Sequence, residues 1–307
     1  MKASVMVIGL YGQSALYAMD HLPKPGESVL SSALQFEGGG KGYNQALCVQ
    51  RMGRDTTFVT AVGDDAFGAC ATEEMKRDGI FDPHAILIPG KNTAFASVLV
   101  DSHGENVVIV DRGACLAVTA EMINALEDKI AAADVLLLQC ELPVETLEAA
   151  TALAEKHGVY TILNPAPARK LPEEVLKRVD LITPNWTEAH QLCGFSTEES
   201  HTPEELAVCL QKQGCSSVVI TMGGDGAFVC TEEGRWHQPA FAVHAVDTTG
   251  AGDTYNGALA AKISEGCKLD EAIRFAAAAS AISVSRRGVL QAIPTISEVE
   301  NFLSTAR

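Results

Sequence analysis

From residue 119 onward the chain alternates short, unbroken apolar runs with helical periods, a pattern that few folds accept. Val135–Leu138, Val159–Leu163, Leu181–Thr183 and Val218–Thr221 read as strands with no polar face. Around them, 119–132, 144–157, 172–178, 186–193 and 203–213 read as helices. A strand that is apolar on both sides must be covered on both sides, which calls for a mostly parallel sheet between helical layers. The N-terminal part fits the same plan. Val5–Ile8 and Phe58–Val62 are strands, Gly38–Gly42 leads into a helix carrying Ala46, Leu47, Val49 and Met52 that Gly53 stops, and 65–78 is a helix capped by Gly79. Further strands extend to Val246, Phe241–Val246 among them, and helices over 251–265 and 269–286 close the fold.

Two pieces fit the layered sheet poorly. Residues 11–37 lose periodicity around the turn chemistry of Pro23-Lys24-Pro25-Gly26-Glu27. In 93–111, Thr93–Val100 and Asn106–Val110 are β-rich and flank a hairpin loop at 101–105. We read both as one small β lid, built from about 11–40 and 92–115, on a single domain spanning 1–307.

The bulk properties narrow the function. With Lys+Arg 23 against Asp+Glu 39, the net charge of −16 repels nucleic acid and anionic membranes. A phosphate site in such a chain must rely on glycine amides, a helix terminus or a metal. The nine cysteines are scattered without a Cys-x-x-Cys, which points to reduced thiols in a cytoplasmic protein. Met1–Gly9 reads as a first strand rather than a signal peptide, and no apolar run has the length of a membrane span.

Walker-type, dinucleotide-fingerprint, His-Glu-x-x-His and Gly-x-Ser-x-Gly motifs are all missing, and the eight histidines show no ligand spacing, so each is read as a surface or capping residue. Five features carry chemistry. Asp247-Thr248-Thr249-Gly250-Ala251-Gly252-Asp253 is a glycine turn feeding a helix N-terminus, where free N–H groups and the helix dipole suit a phosphate. Asp253 stands close enough to take a proton from whatever attacks that phosphate; the plainer reading is a capping Asp. Gly38–Gly42, with Lys41 and Asn44, puts close-approach backbone and two polar side chains at a helix entrance, or is simply a loop. Glu141 follows the strand Val135–Leu138, at the end where ligands of parallel sheets collect, or is a solvated carboxylate. Asn185 and Glu188 can turn an amide toward phosphate and a carboxylate toward hydrated Mg²⁺, which is compatible with a capping box. Thr221-Met222-Gly223-Gly224-Asp225-Gly226 can lie flat against a nucleotide, or be a hairpin turn.

Gly39-Gly40-Lys41-Gly42-x-Asn44, Asn164-Pro165-Ala166-Pro167-Ala168, Thr183-Pro184-Asn185-x-x-Glu188, Asp247–Asp253 and Arg274-Phe275-Ala276-Ala277-Ala278 occur in this order over nearly the whole length. Together they resemble the ribokinase-like (PfkB-type) family of sugar kinases. The resemblance implies a three-layer α/β/α sandwich with a β lid over a sugar, the lid often serving as a homodimer contact. It implies Asp253 as the base that deprotonates a sugar hydroxyl, with Gly250, Ala251 and Gly252 offering amides to the transferring phosphoryl group. Gly40, Lys41, Gly42, Asn44 and Glu141 match sugar-site positions. Asn185, Thr221, Gly223, Gly224, Gly226 and Gly252 match positions that contact ATP, and Glu188 matches an acid that organises Mg²⁺ through water. Asp247, Thr249, Ser283, Arg286 and Gly288 match a K⁺ site.

The chain departs from the family pattern in three places. Ala292 stands where ribokinases carry a serine, so one side-chain K⁺ ligand is missing. Gly12 and Ser14 stand where they carry an Asn and an Asp that grip sugar hydroxyls, and Arg112 lies near the substrate mouth. The expected acceptor is therefore a sugar whose hydroxyl pattern differs from ribose, or an acidic sugar paired with Arg112. Two rival readings stand beside the sugar kinase: a nucleoside kinase of the same fold, and a catalytically silent sugar sensor. The intact Asp253, Gly250, Gly252, Asn185 and Glu188 argue against the sensor.

Overall fold

The computed structural model describes residues 4–306, so Met1–Ala3 and Arg307 lie outside it. The first half runs β1 (Ser4–Ile8), β2 (Gly12–Ala18), β3 (Ala33–Gly39), α1 (Lys41–Arg51), β4 (Asp55–Gly63), α2 (Ala66–Arg77), β5 (Asp82–Ile88), β6 (Ala94–Val100) and β7 (Asn106–Asp111). Short helices α3 (Ala120–Asn124) and α4 (Glu127–Ala131) lead to β8 (Val135–Gln139). Then α5 (Val144–His157), β9 (Tyr160–Asn164), α6 (Glu173–Lys177), β10 (Leu181–Ile182), α7 (Trp186–Cys193), α8 (Pro203–Lys212) and β11 (Ser217–Thr221) follow. The chain ends through β12 (Ala227–Cys230), β13 (Arg235–Gln238), α9 (Ala251–Ser264), α10 (Leu269–Val284) and α11 (Ile296–Thr305).

Among the described residues, nine strands form one sheet in the order β13-β12-β11-β10-β9-β8-β1-β4-β5, parallel except for the antiparallel β12 and β13. Period-two alternation divides its strands between two cores. Met6, Ile8, Leu136 and Leu138 face the core shared with α3 to α8. Val5, Val7, Val135 and Leu137 face the core shared with α1, α2, α9, α10 and α11. The apolar strands are thus buried on both sides, as their sequence requires. A separate four-stranded sheet, β3-β2-β6-β7, is built from the two pieces that fitted the main sheet poorly. No described helix is long and apolar enough to cross a membrane.

Several local expectations need correction. Residues 119–132 are two helices rather than one, because a tight turn bonds the Leu126 N–H to the Ile123 carbonyl at 2.9 Å. Phe241–Val246 is not a strand: Pro239 removes a ladder donor just after β13, and the Val246 N–H goes to the Val284 carbonyl of α10 at 2.7 Å. β5 was not anticipated; it accommodates Pro83 because it is the sheet's edge, where proline is tolerated. α11 was not anticipated either, although Thr295 and Glu298 spell its capping box, and the Thr295 N–H donates to Glu298 Oε2 at 2.8 Å. Residues 11–37 contain two regular strands whose half-exposed faces hide the alternation. Finally, His190 is no surface residue: it is buried between the rings of Trp186 and His201.

Candidate active site

Asp253 lies in the first turn of α9, and Gly250 caps that helix in the left-handed region at φ 73°. A side chain at residue 250 is excluded twice over, by this φ and because a Cβ would come within 2.6 Å of Val289 Cγ1. The turn leaves the N–H groups of Gly250, Gly252 and Asp253 without acceptors among the described residues, as expected of a helix start. Of the three amides anticipated there, Ala251 is the exception, because its N–H is taken by the Thr248 carbonyl at 3.2 Å. The Asp253 carboxylate is buried at 6 % exposure and held at both oxygens. Asn44 Nδ2 donates to Oδ2 at 2.9 Å, and Gln45 Nε2 donates to Oδ1 at 2.9 Å. A carboxylate so fixed cannot swing, and it keeps lone pairs for an incoming proton.

Asp253 borders a cavity of about 240 Å³ whose floor also includes Gly40, Lys41, Asn44 and Glu141. Gly42 stays in the α1 backbone behind this floor and is not part of the lining. The Lys41 N–H donates to Glu141 Oε2 at 3.0 Å, and the Lys41 ammonium is held above its ordinary range chiefly by Asp253, against burial, with Glu141 and Glu188 adding to the effect. Burial pushes the Glu141 carboxyl up to about 7, although Lys41 beside it works the other way. Arg112 donates to the Glu141 carbonyl at 3.3 Å and does not line the cavity, so the acidic-sugar expectation loses its cation.

The second cluster sits at the carboxyl ends of β10 and β11. Asn185 and Thr221 form a parallel bridge, and with Gly223 they border a second cavity of about 530 Å³. Gly224, Gly226 and Gly252 are outside its lining. Gly223–Asp225 is the turn between β11 and β12, so the plainer hairpin reading holds there as a fact of the fold. The capping box of α7 is also formed: Asn185 Oδ1 accepts the Glu188 N–H and Glu188 Oε2 accepts the Asn185 N–H, both at 2.8 Å. It leaves Asn185 Nδ2 and Glu188 Oε1 unengaged. Burial raises the Glu188 carboxyl, against the Asn185 N–H and Lys41. Among the described residues no group of three acids, histidines or cysteines could hold a metal ion, and a hydrated Mg²⁺ would find the unengaged Glu188 Oε1 as a carboxylate here.

Asp247 joins the segment before α9 to the one after α10. Its Oδ1 accepts the Thr249 N–H at 2.9 Å and its Oδ2 accepts the Gly288 N–H at 3.1 Å. Burial raises the Asp247 carboxyl, but these donors outweigh it and the net shift is downward. The carbonyls of Asp247, Thr249, Arg286 and Gly288 accept no hydrogen bond among the described residues, an oxygen-rich set that suits K⁺. Ser283 is buried, with its hydroxyl turned to the Ser280 carbonyl at 2.9 Å. The Arg286 guanidinium is drawn away to Glu298 at 2.6 Å. Ala292 is buried and supplies no donor.

Of the buried polar chain behind Asp253, the sequence motifs included Asn164 and Thr183 but not Gln45, Gln139 or Asn256. Gln45 Nε2 also donates to Asn164 Oδ1 at 3.1 Å, and Gln139 Nε2 donates to Gln45 Oε1 at 2.7 Å. Asn164 Nδ2 reaches the Thr183 carbonyl at 3.1 Å, Thr183 donates to Asn256 Oδ1 at 2.5 Å, and Asn256 Nδ2 returns to the Gly252 carbonyl at 2.8 Å. Gln139 closes the otherwise apolar β8, and Asn164 follows Ile162 and Leu163 at the end of β9; a polar residue at the carboxyl end of an apolar parallel strand is the sign that marks them.

The chain matches the model of the pfkB family carbohydrate kinases over residues 2–296. It is 35% identical over 306 residues to the ribokinase of Haemophilus influenzae, covering 100% of both chains. It is 30% identical over 301 residues to the deoxyribokinase of Salmonella typhi, covering 98% of both. The structure of Arabidopsis thaliana ribokinase complexed with ribose and ATP superposes with a TM-score of 0.92 at 30% identity, covering 100% of both chains. With the α/β sandwich and these site positions in place, the chain belongs to the pfkB family of carbohydrate kinases and is an ATP-dependent sugar kinase.

Proposed function

We propose that Asp253 is the general base of this kinase and that the cavity beneath the second sheet holds the sugar. The observation that carries the reading is the Asp253 carboxylate, pinned by Asn44 and Gln45 at the N-terminus of α9 while it borders a sugar-sized cavity. A sugar hydroxyl hydrogen-bonded to Asp253 gives up its proton as its oxygen attacks the γ-phosphorus of ATP. The bond from that phosphorus to the β–γ bridging oxygen breaks, and ADP leaves with the bonding electron pair. Free N–H groups of Gly250, Gly252 and Asp253 then face the charge that builds on the transferring group, so catalysis is positioning plus electrostatics. Asn185, Thr221 and Gly223 would border the nucleotide, with Asn185 Nδ2 toward a phosphate. Mg²⁺, when bound, would screen the phosphate charge, with Glu188 steadying its water shell. K⁺, when bound among the carbonyls that Asp247 gathers, would stiffen the turn that carries the amides.

The second sheet serves as a lid over the sugar and as the contact face of a homodimer in this reading. The acceptor is a neutral sugar whose hydroxyl pattern differs from that of ribose. A side chain at Gly12 has no room, because a Cβ there would lie 2.5 Å from the Ala94 carbonyl oxygen. Asp253→Asn tests the core of the proposal. It should melt like the wild type, retain sugar binding, and lose at least about a hundredfold in kcat, in K⁺ or in Na⁺ buffer. Near-normal turnover would remove Asp253 from its role, and equal wild-type rates in the two buffers would remove K⁺.

A further inference from the structure

The roof of the sugar cavity is a sheet face, and strand register fixes which side chains it presents. Directly paired residues of neighbouring strands share a face. Gly12 pairs with Gly39 and Ala94, Ser14 pairs with Glu37 and Ala96, and Ala96 pairs with Val110. Gly12, Ser14, Ala94, Ala96 and Val110 all border the cavity. Glu37 stands on the same face beside Ser14, at the rim rather than in the lining. It is the one charged residue in these pairs. Its carboxylate has no hydrogen bond or ion pair among the described residues, although it is partly buried. Burial, and then the charge of Asp247, hold that carboxyl above its ordinary range.

We propose that Glu37 is a specificity residue of this sugar site, reaching from β3 over Ser14 to accept hydrogen bonds from the substrate's hydroxyls. The inference rests on the reading of the cavity as the sugar site. The floor is rich in partners, with Asp253, Asn44, Lys41 and Glu141. Besides Phe95 and a Gln13 whose amide is spent on Tyr11 and Glu74, the roof offers glycine, alanine and valine with a single hydroxyl, and a sugar face turned toward it would lose water with little compensation. Glu37 supplies two acceptor oxygens, enough for a vicinal diol. Neighbouring strands lie about 4.8 Å apart, so these oxygens are displaced by one strand from those of a carboxylate at residue 14. The diol they accept therefore lies nearer β3 and Asp247. The same carboxylate adds negative charge beside a cavity already bordered by Asp253 and Glu141, which disfavours a sugar acid. The substrate class is a neutral sugar with a free vicinal diol remote from the hydroxyl that is phosphorylated.

Steady-state kinetics of the intact protein over a panel of neutral pentoses and hexoses, their deoxy forms and sugar acids test this. For the neutral sugar the wild type prefers, Glu37→Gln and Glu37→Ala should raise KM at least about tenfold, the scale of one lost charge-assisted hydrogen bond. KM for ATP should move less than about twofold, and Glu105→Gln in the distant hairpin turn should change neither. The double variant Glu37→Ala/Ser14→Asp returns a carboxylate to β2; it should recover sugar affinity and re-order the panel. Should Glu37→Ala fail to fold, Glu37→Gln, which keeps size and shape, carries the test. A sugar KM within about twofold of wild type in a normally melting Glu37→Gln, or a wild-type preference for a sugar acid, overturns the role of Glu37 alone. If the wild type phosphorylates no sugar of the panel, the sugar-site reading fails and takes this role with it.

Discussion

At the scale of single residues, the site separates its carboxylates by what surrounds each one. Asp253 is gripped at both oxygens by amide donors, Asp247 by two backbone N–H groups, and Glu141 by one N–H while burial dominates it. Because the Glu141 carboxyl rises from 4.5 to about 7, it changes charge near neutrality. As a carboxylate it accepts a sugar hydroxyl more strongly than as an acid, since charge-assisted hydrogen bonds are roughly twice as strong as neutral ones. Sugar KM should therefore fall about three- to tenfold between pH 6 and pH 8, and Glu141→Gln should flatten that slope. The stability effect has the opposite sense. A carboxyl whose folded pKa exceeds its unfolded one holds its proton more tightly when folded, so the cost of ionising it grows from pH 4.5 to about 7 and is constant above. Denaturant titrations at pH 5 and pH 8 should show wild type losing more stability than Glu141→Gln across that window. Parallel losses would mean that Glu141 titrates elsewhere.

At the scale of elements, one helix crossing brings Asp253, the proposed base, to its partners. α1 carries Asn44 and Gln45, α9 carries Asp253, and the two meet where a Cβ on Gly257 would lie 2.5 Å from Cys48 Cβ and 2.7 Å from the Gln45 carbonyl. Gly257 lies one turn beyond Asp253, so Gly257→Ala must push the helices apart at the level of the site. It should cost about 1–3 kcal/mol of stability by overpacking. It should also lower kcat more than it raises KM for either substrate, because Asn44 and Gln45 would no longer reach both oxygens of Asp253. Unchanged kinetics at that stability loss would show that the crossing is structural only. This crossing marks where sequence reading reached its limit. The glycine turn at 247–253 and the apolar strands were readable, since their chemistry is local. Gln45 and Gln139 were not, because their meaning depends on contacts between elements more than ninety residues apart. β5 and α11 were missed for a different reason: Pro83 is tolerated because β5 lies on the sheet edge, and α11 is held by packing on the α10 side, and neither placement is visible in a local stretch of sequence.

At the scale of the whole molecule, the unresolved demand is the second sheet. Its outer strands, β3 and β7, are both edges, and open edges with apolar side chains invite pairing with another chain. Phe36 is 58 % exposed and Ile109 64 %, and both lie in one cross-strand row with Ala15 and Ser97 on the face away from the sugar cavity. A second copy presenting the same row would cover these residues through a twofold contact, in which each chain shields the other's edge. Dimerisation would then steady the roof over the cavity, and sugar affinity would depend on it. Ile109→Lys is the discriminating change, because it charges the outer row while leaving Ser14, Ala96 and Val110 in place. Sedimentation should find the wild type dimeric at micromolar concentration and Ile109→Lys monomeric. In the monomer the sugar KM should rise several-fold while kcat at saturating sugar changes little, since the floor residues proposed to carry the chemistry are untouched. A wild type that sediments as a monomer at assay concentrations would dissolve this link, and the exposed row would then need another partner.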